Sequence, residues 1–412
     1  MTEQKERIIY DFETLLDRRG HDAIAVDAVG DPQWKGFAPT APKEGFDCIP
    51  MWVADMNFPT ARSIQEAMIR RIEHPAFGYF SPAEEYYQAI TGWHARRKGV
   101  TDLTPEVIGY ENGVLGGVLS ALKVFAVPGE NVLLHSPTYM GFTHCVEDAG
   151  FRIIHSPLKR DEQGIWRMDY EDMEEKIRRH HIHAAIFCSP HNPAGRVWTR
   201  EEIAAAMEIY ARNGVGVISD EIWSDLLIGG AKHIPTQSVS DWAKTHVVSL
   251  YAPSKTFNLA GLIGSYHVIY DKTLRERVES IGTRTHYNSM NVLSQHALIG
   301  AYSAEGESWL EQLLPVLTEN VNLAADCIRD RFPGVSAFRS EGTYMLFMDC
   351  ADWLKDRGMR QPELLQKGWD YGIGWQDGRL FQAPESIRLN LASPTHRIRE
   401  AFRRMDQYVF NA

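Results

Sequence analysis

The sequence predicts an α/β protein in which a large domain, with a mostly parallel sheet between helices, is joined to a smaller α+β domain. From about residue 60, amphipathic helices alternate with short apolar runs, which is the order expected of an α/β sheet. These apolar runs end in polar turns. After about residue 305 the pattern changes to a long helical stretch followed by two strand-like runs, 342–348 and 387–392, which predicts the α+β domain.

The first fifty residues precede this alternation. They combine a charged opening, which we predict to be helical, with a glycine- and proline-bearing stretch over residues 30–50 that has no clear period. We therefore predict three segments. These are an N-terminal arm with part of the small domain over 1–50, a large domain over 51–304, and a C-terminal small domain over 305–412.

Five apolar runs of the large domain are predicted strands, and each is followed by polar residues. In open α/β sheets the ligand crevice lies outside the carboxyl ends of the strands, so these polar turns are expected to converge on one site. The five runs are 107–110, 132–135, 184–188, 215–219 and 247–251.

Charge and composition exclude several classes of function. The 43 Lys and Arg residues against 54 Asp and Glu residues give a net charge of −11, and no basic patch interrupts this balance, so nucleic acid is not an expected partner. No stretch approaches the roughly 18 uncharged apolar residues of a membrane span, and the first residues resemble no signal peptide. We expect a cytoplasmic protein without membrane contact. The five scattered cysteines form no C-x-x-C pair and are interpreted as reduced core residues, not metal ligands.

Two residues at strand ends suggest covalent chemistry. Lys255 follows an apolar strand, and desolvation lowers the pKa of an amine, which makes it competent as a Schiff-base nucleophile and proton carrier. Asp220 ends a mostly apolar strand, and a buried carboxylate needs a cationic partner, of which a protonated pyridinium nitrogen is one. In isolation, a surface lysine is the more common explanation of Lys255, and a helix cap explains Asp220 equally well.

Four further residues are candidates for a binding site. Gly113 lies at a predicted helix start, where free N–H groups and the helix dipole favour a phosphate. Tyr139 is placed to lie over a flat heteroaromatic ring, and Asn192 to donate to a ring oxygen. Arg388, between two apolar residues, is suited to bidentate capture of a carboxylate. A tight turn, packing and a structural salt bridge are the alternative explanations, but no HExxH, P-loop, GxSxG or GxGxxG motif in a strand-to-helix context competes with this set.

Taken together, the motifs around Asn192, Asp220 and Lys255 resemble, in their order, the fold-type I enzymes that depend on pyridoxal 5′-phosphate (PLP). Longer motifs are similar to the MalY/PatB-type C–S lyases, the cystathionine β-lyase branch of the class I/II aminotransferase superfamily. They extend from about residue 46 to Leu391, nearly the whole chain. The longer motifs are 50–56 (PMWVADM), 77–79 (FGY), 189–198 (SPHNPAGRVW), 219–222 (SDEI) and 254–261 (SKTFNLAG).

The resemblance implies a role for each candidate that handles the cofactor ring or the substrate. Lys255 would form a Schiff base with the cofactor aldehyde, Asp220 would contact the pyridine nitrogen, and Asn192 the ring hydroxyl. Tyr139 would stack on the ring. Arg388 would bind the substrate carboxylate.

The resemblance also implies how the cofactor phosphate is bound. Backbone amides mapping to Gly113 and Val114 would hold it, together with the side chain of Ser254 and with Tyr79 from the neighbouring subunit. The expected assembly is therefore a homodimer with shared active sites.

Three departures from the family pattern bear on the substrate. Many fold-type I aminotransferases have a phosphate-binding arginine where this chain has Ile263, although the lyase branch also tends to lack it. Trp223 stands where aminotransferases have a tyrosine and lyases commonly a histidine, which removes a donor to the ring oxygen. Asn57 replaces the second aspartate of the usual Asp-Met-Asp-Phe motif, which removes a negative charge near the expected substrate entrance.

The first functional hypothesis is β-elimination from cystathionine or another S-substituted L-cysteine, giving a thiol, pyruvate and ammonia. The alternative is an aminotransferase, which shares removal of the Cα proton but returns a proton to the cofactor carbon. The wording of the motifs favours the lyase. A third hypothesis is a regulatory protein that retains the fold, but only about fifty residues precede the first lyase motif, which leaves little room for a DNA-binding domain.

Overall fold

The computed structural model describes residues 8–411. Its strands, in chain order, are β1 (Ile49–Pro50), β2 (Ile108–Glu111), β3 (Asn131–Ser136), β4 (Arg152–Pro157), β5 (Lys159–Arg160), β6 (Trp166–Arg167), β7 (Ala184–Cys188), β8 (Gly216–Asp220), β9 (Val247–Tyr251), β10 (Ser265–Val268), β11 (Ser336–Ala337), β12 (Met345–Asp349), β13 (Ile373–Gly374), β14 (Gln376–Asp377) and β15 (Ser386–Asn390).

The α-helices, in chain order, are α1 (Ile24–Asp27), α2 (Arg62–Ile72), α3 (Glu84–Lys98), α4 (Val114–Phe125), α5 (Met140–Asp148), α6 (Tyr170–Arg179), α7 (Arg200–Arg212), α8 (Asp241–His246), α9 (Lys272–Thr285), α10 (Val292–Ala301), α11 (Ala304–Arg331), α12 (Ala351–Arg357), α13 (Gln361–Asp370) and α14 (Thr395–Arg404). None of these helices, within residues 8–411, is both long and apolar enough to cross a membrane.

The main sheet in the described part of the chain has seven strands in the order β2-β10-β9-β8-β7-β3-β4. The pairs from β9 through β4 are parallel, and β10 is antiparallel to both of its neighbours. This confirms the predicted α/β class with a mostly parallel sheet. All five predicted runs form strands of this sheet, and β4 and β10 are two further strands that the sequence pattern does not predict.

Alternating side chains of the central strands bury both faces of the sheet. In β7, Ile186 belongs to the apolar cluster that contains Val118 of α4, while Phe187 belongs to the cluster on the other face with Ile203 of α7. Successive side chains of a strand point to opposite faces, so a fully apolar run such as β7 requires helices on both sides. The polar residues that follow the strands therefore lie where the carboxyl ends of the strands meet, outside the apolar layers.

A second sheet of four antiparallel strands, ordered β11-β12-β15-β14, lies in the C-terminal part of the chain. Its central strands β12 and β15 correspond to the two predicted runs after residue 305. The short strand β1 pairs in parallel with β13, which attaches the N-terminal segment to this part of the chain. The division into segments 1–50, 51–304 and 305–412 stays a prediction.

The helical opening is a prediction that the described residues contradict. Residues 1–7 lie outside the described chain, and from Ile8 onward the first helix is α1. Instead, Phe12 packs with its ring centroid 5.3 Å from that of Phe58 and 5.7 Å from that of Trp309. The hydroxyl of Tyr10 donates to Glu305 at 2.8 Å. These long-range contacts hold the segment in a non-helical form, because tertiary packing overrides a weak local helix propensity.

Candidate active site

The predicted polar turns converge on a cavity of about 230 Å³. It lies at the carboxyl ends of β7, β8 and β9 and at the amino end of α4. Seven of the nine predicted site residues line it, namely Gly113, Val114, Tyr139, Asn192, Asp220, Ser254 and Lys255. A larger cavity, of about 470 Å³, lies beside Asp102 and Lys244, but none of the predicted residues lines it.

Lys255 lies in the turn after β9, and its Nζ donates to the carbonyl of Ala54 at 2.9 Å. Burial and the nearby positive charge of Arg388 lower the pKa of Lys255 to about 8. A substantial share of this amine is therefore neutral in mildly alkaline solution, when it can act as a nucleophile or as a base.

Asp220 ends β8, and its side chain is buried. Its Oδ1 accepts from the backbone N–H of Ile222 at 3.0 Å, and no cationic side chain forms an ion pair with it within the described chain. Burial raises the pKa of Asp220 to about 7, and the neighbouring charge of Glu221 adds to this rise. A cation placed against this carboxylate would be strongly favoured, because a buried carboxylate without one is costly.

Glu221 has contacts that the sequence analysis did not foresee. Burial alone would raise the pKa of Glu221, but hydrogen bonds, the largest from His233, hold it below its usual value. The carboxylate accepts from His233 at 2.6 Å, from Tyr251 at 2.8 Å and from Ser249 at 2.9 Å. Its position next to Asp220 in the Asp-Glu motif was the one available signal. Within the described residues, several side chains hydrogen-bond to the carboxylate of Glu221, whereas that of Asp220 accepts only from the backbone of Ile222.

The amino end of α4 offers hydrogen-bond donors to the cavity. Gly113 precedes the helix with φ +80°, a backbone conformation that favours glycine. Its own N–H donates to the carbonyl of Glu111 at 2.9 Å, so the first amide without an intrahelical partner is that of Val114. Ser254 adds a hydroxyl to the same cavity. Amides at a helix start and a hydroxyl form a donor set that suits a phosphate.

Tyr139 and Asn192 form two further walls of the cavity. The ring of Tyr139 packs edge-on against Phe142 with centroids 5.4 Å apart. A Cβ at position 141 would come within 2.4 Å of the Tyr139 ring, so Gly141 makes room for it. The buried Asn192 accepts from Nη1 of Arg388 at 3.3 Å, which links the cavity to that arginine.

Arg388 lies on β15, just beyond the cavity lining, and is buried. Burial lowers its pKa to about 10. Its Nη2 donates to the carbonyl of Trp52 at 2.8 Å and to Oε1 of Gln376, while its buried Nε has no partner among the described residues. No carboxylate of the described chain pairs with it. A buried guanidinium with neutral partners and a free N–H is suited to bind a carboxylate from outside the chain.

Tyr79 is the predicted site residue that the chain does not bring to the cavity. It lies between α2 and α3 and is fully exposed, with exposed Phe77 and Phe80 beside it. An exposed group of aromatic side chains is typical of a protein interface.

The three departures from the family pattern lie in or near the site. Ile263 and Trp223 line the cavity, and the ring of Trp223 lies 5.8 Å from Nζ of Lys255. Asn57 is buried, and its Oδ1 accepts from Arg18 at 3.3 Å while Arg18 pairs with Asp55 at 2.5 Å. One carboxylate therefore balances Arg18 here.

The fold, together with this cavity, is that of the fold-type I PLP-dependent transferases. A family profile described as aminotransferase class I and II matches residues 47–405, and the chain belongs to this family. This confirms the resemblance that the motifs indicated.

The chain is similar, over nearly its whole length, to several proteins of known sequence or structure. Cystathionine beta-lyase PatB of Bacillus subtilis (strain 168) is 35% identical over 401 residues, which cover 96% of this chain and 98% of that protein. The PLP-containing crystal structure of cystalysin from Treponema denticola is 27% identical, with a TM-score of 0.88 over 97% of this chain and 99% of that one. The PLP-bound C–S lyase from Staphylococcus hominis is 27% identical, with a TM-score of 0.85 over 98% of each chain.

Proposed function

We propose that this protein is a PLP-dependent C–S β-lyase that cleaves cystathionine or a smaller S-substituted L-cysteine to a thiol, pyruvate and ammonia. The observation that carries the PLP-dependent chemistry is the convergence of three groups on one site: an amine of lowered pKa at Lys255, an unpaired buried carboxylate at Asp220 and an unpaired buried guanidinium at Arg388. An aminotransferase would use the same three groups, so the choice of a lyase is supported by the similarity to cystathionine beta-lyase PatB and to two solved C–S lyase or cystalysin structures.

The donor set of the cavity fits PLP. Asp220 would pair with the pyridine nitrogen, Asn192 would donate to the ring hydroxyl, and Tyr139 would lie on the ring. The amide of Val114 with its neighbour Gly113 and the hydroxyl of Ser254 would hold the phosphate. Bound through Lys255, PLP supplies an electron sink that makes the Cα proton of an amino acid removable.

The chain's own residues would then select and move the groups of the substrate. Arg388 would bind the α-carboxylate and so fix the orientation of the Cα–H bond. Lys255, once displaced by the substrate amine, would take the Cα proton as general base, for which a pKa near the working pH is best. Asp220 would hold the ring nitrogen protonated. Loss of a thiolate from Cβ, which takes up a proton to become the thiol, would complete the elimination, and water would then hydrolyse the released 2-aminoacrylate to pyruvate and ammonia.

The experiment that tests this function is a product assay. We expect the PLP-loaded protein to release pyruvate and thiol in equal amounts, over many turnovers, from L-cystathionine or S-methyl-L-cysteine without any added 2-oxo acid. An aminotransferase would instead stop after one turnover, with no thiol, and would resume when a 2-oxo acid is added. That second result would replace the lyase by the alternative.

We propose that the active form is a homodimer in which Tyr79 reaches the phosphate site of the other subunit. The exposed aromatic residues around Tyr79 support this assembly. We also propose that the chain is divided into the segments 1–50, 51–304 and 305–412, and that the protein is cytoplasmic.

Mixing two variants, each expected to be inactive by itself, tests the shared site. If Tyr79 acts across the interface, refolding equal amounts of Lys255→Ala and Tyr79→Ala restores one intact site per mixed dimer, or about a quarter of wild-type activity at random pairing. The pyruvate assay measures this recovery. Each variant mixed with itself is the control. If the mixture recovers no activity although mixed dimers form, Tyr79 does not act from the partner subunit.

A further inference from the structure

Gln376 is in close contact with Arg388, but the proposed function gives Gln376 no role. The two residues are direct partners in the β14–β15 pairing, and Oε1 of Gln376 accepts from Nη2 of Arg388. Both side chains are buried, each only 3% exposed. Because their backbones are paired in register, the amide faces the guanidinium without any movement of the chain.

Other contacts fix the plane of the same guanidinium. Its Cζ lies 4.5 Å from the ring centroid of Phe381, and Trp52 and Asn192 accept from its two terminal nitrogens. Gln376 completes this set, which leaves Nε as the unpartnered donor within the described chain. A guanidinium held on one face and along its edges has little freedom left to lose when a carboxylate binds.

The neutrality of these partners sets Arg388 apart from the other buried arginines of the described chain. Arg196 pairs with Glu202 and Glu341, and Arg404 pairs with Asp47 and Glu400. Those carboxylates neutralise the arginine charge. Arg388 instead donates from its two terminal nitrogens to amide and carbonyl oxygens, which leave its charge uncompensated.

From this contrast we propose that Gln376 is a positioning residue, which orients Arg388 through a neutral acceptor and so keeps its charge available for the α-carboxylate of the substrate. Gln376 thereby makes the site selective for amino acids over the corresponding amines. The inference rests on the proposed function, in which Arg388 binds that carboxylate. A glutamate of the same shape would satisfy the same N–H but cancel the charge.

Two fragments of S-methyl-L-cysteine separate the carboxylate contribution from the rest of binding. The probe 3-(methylthio)propanoate keeps the carboxylate but lacks the amine, and 2-(methylthio)ethylamine keeps the amine but lacks the carboxylate. For Gln376→Glu we expect the calorimetric Kd of the propanoate to rise at least about tenfold, as for loss of a charge-assisted contact, and that of the amine to change less than about threefold. KM for S-methyl-L-cysteine should rise more than kcat falls.

Two control variants isolate the charge. Gln376→Met keeps the size without charge or acceptor, so we expect it to weaken propanoate binding less than Gln376→Glu does. Gln382→Glu adds the same charge at a nearby exposed glutamine and should leave both affinities unchanged. The melting temperatures of the three PLP-loaded variants show whether each of them is folded. If Gln376→Glu is unfolded, a folded Gln376→Met still allows the affinities of the two fragments to be compared with those of the wild type.

The outcomes separate this inference from the proposed function. Unchanged propanoate affinity in Gln376→Glu, or equal weakening of both fragments in both Gln376 variants, overturns the role of Gln376. Wild-type protein that binds the propanoate but releases no thiol from any cysteine thioether refutes the lyase and leaves the positioning role standing. Wild-type protein that does not bind the propanoate refutes the positioning role as well.

Discussion

Lys255→Ala is expected to abolish the covalent attachment of PLP and to lower the rate of thiol release by at least about a thousandfold, because the amine serves as both anchor and general base. Nζ of Lys255 lies within the cavity, and its lowered pKa suits both tasks. The wild-type protein, loaded with PLP and reduced with borohydride, should gain the mass of the cofactor. The variant should not.

Lys255→Arg and Lys244→Ala are the matched controls for this prediction. Lys255→Arg keeps the positive charge but not the nucleophile, so it should lose attachment and activity as fully as Lys255→Ala. Lys244 is a half-exposed lysine paired with Asp102, and its replacement should leave both measurements unchanged. A Lys255→Ala protein that still gained the cofactor mass and still released thiol would refute the assignment of Lys255.

The positions of the central strands could be predicted because their side chains are apolar on both faces. The runs 184–188 and 247–251 match β7 and β9 residue for residue. Strand β10 was missed because it carries Ser265 and His267, whose burial becomes favourable only when Ser265 bonds to the carbonyl of Glu111 and His267 to its carboxylate. Such pairings join residues more than 150 positions apart and leave no local pattern.

Some residues of the candidate site could likewise be predicted from local sequence patterns, whereas others depend on contacts between distant parts of the chain. Lys255, Asp220 and Asn192 could be placed together because parallel strands end at one edge of a sheet. Gln376 could not, because β14 has two residues and acquires its role only by pairing with Arg388 on β15. Tyr79 could be placed at the phosphate only through the family resemblance, since within one chain it is fully exposed.

Asp220→Asn is expected to have opposite effects on activity and on the stability of the cofactor-free protein. In the loaded enzyme it removes the carboxylate proposed to keep the ring nitrogen protonated, and we expect kcat for pyruvate release to fall at least about a hundredfold. Without cofactor, the same carboxylate is buried and lacks an ion-pair partner in the described chain, so its removal should stabilise the fold at neutral and alkaline pH.

The sign of the pH dependence follows from the raised pKa of Asp220. The unfolded chain loses this proton near pH 3.8, whereas the folded protein keeps it until about pH 7. Between these values the folded state binds more protons, so the wild-type free energy of unfolding falls as pH rises, and the loss is complete above about pH 7. At about 1.4 kcal/mol per pKa unit, the full loss is at most about 4 kcal/mol. The variant has no such group and should escape this loss.

Urea denaturation of the cofactor-free proteins between pH 5 and 8.5 measures this difference. We expect Asp220→Asn to exceed wild type by a margin that grows up to about pH 7 and then stays constant. Asp225→Asn is the matched control, because the buried Asp225 is paired with Lys98 at 2.5 Å and breaking a buried ion pair destabilises a protein. An Asp220→Asn protein less stable than wild type at pH 8 would show that the chain itself supplies the partner of Asp220, and a cation from PLP would then not be needed there.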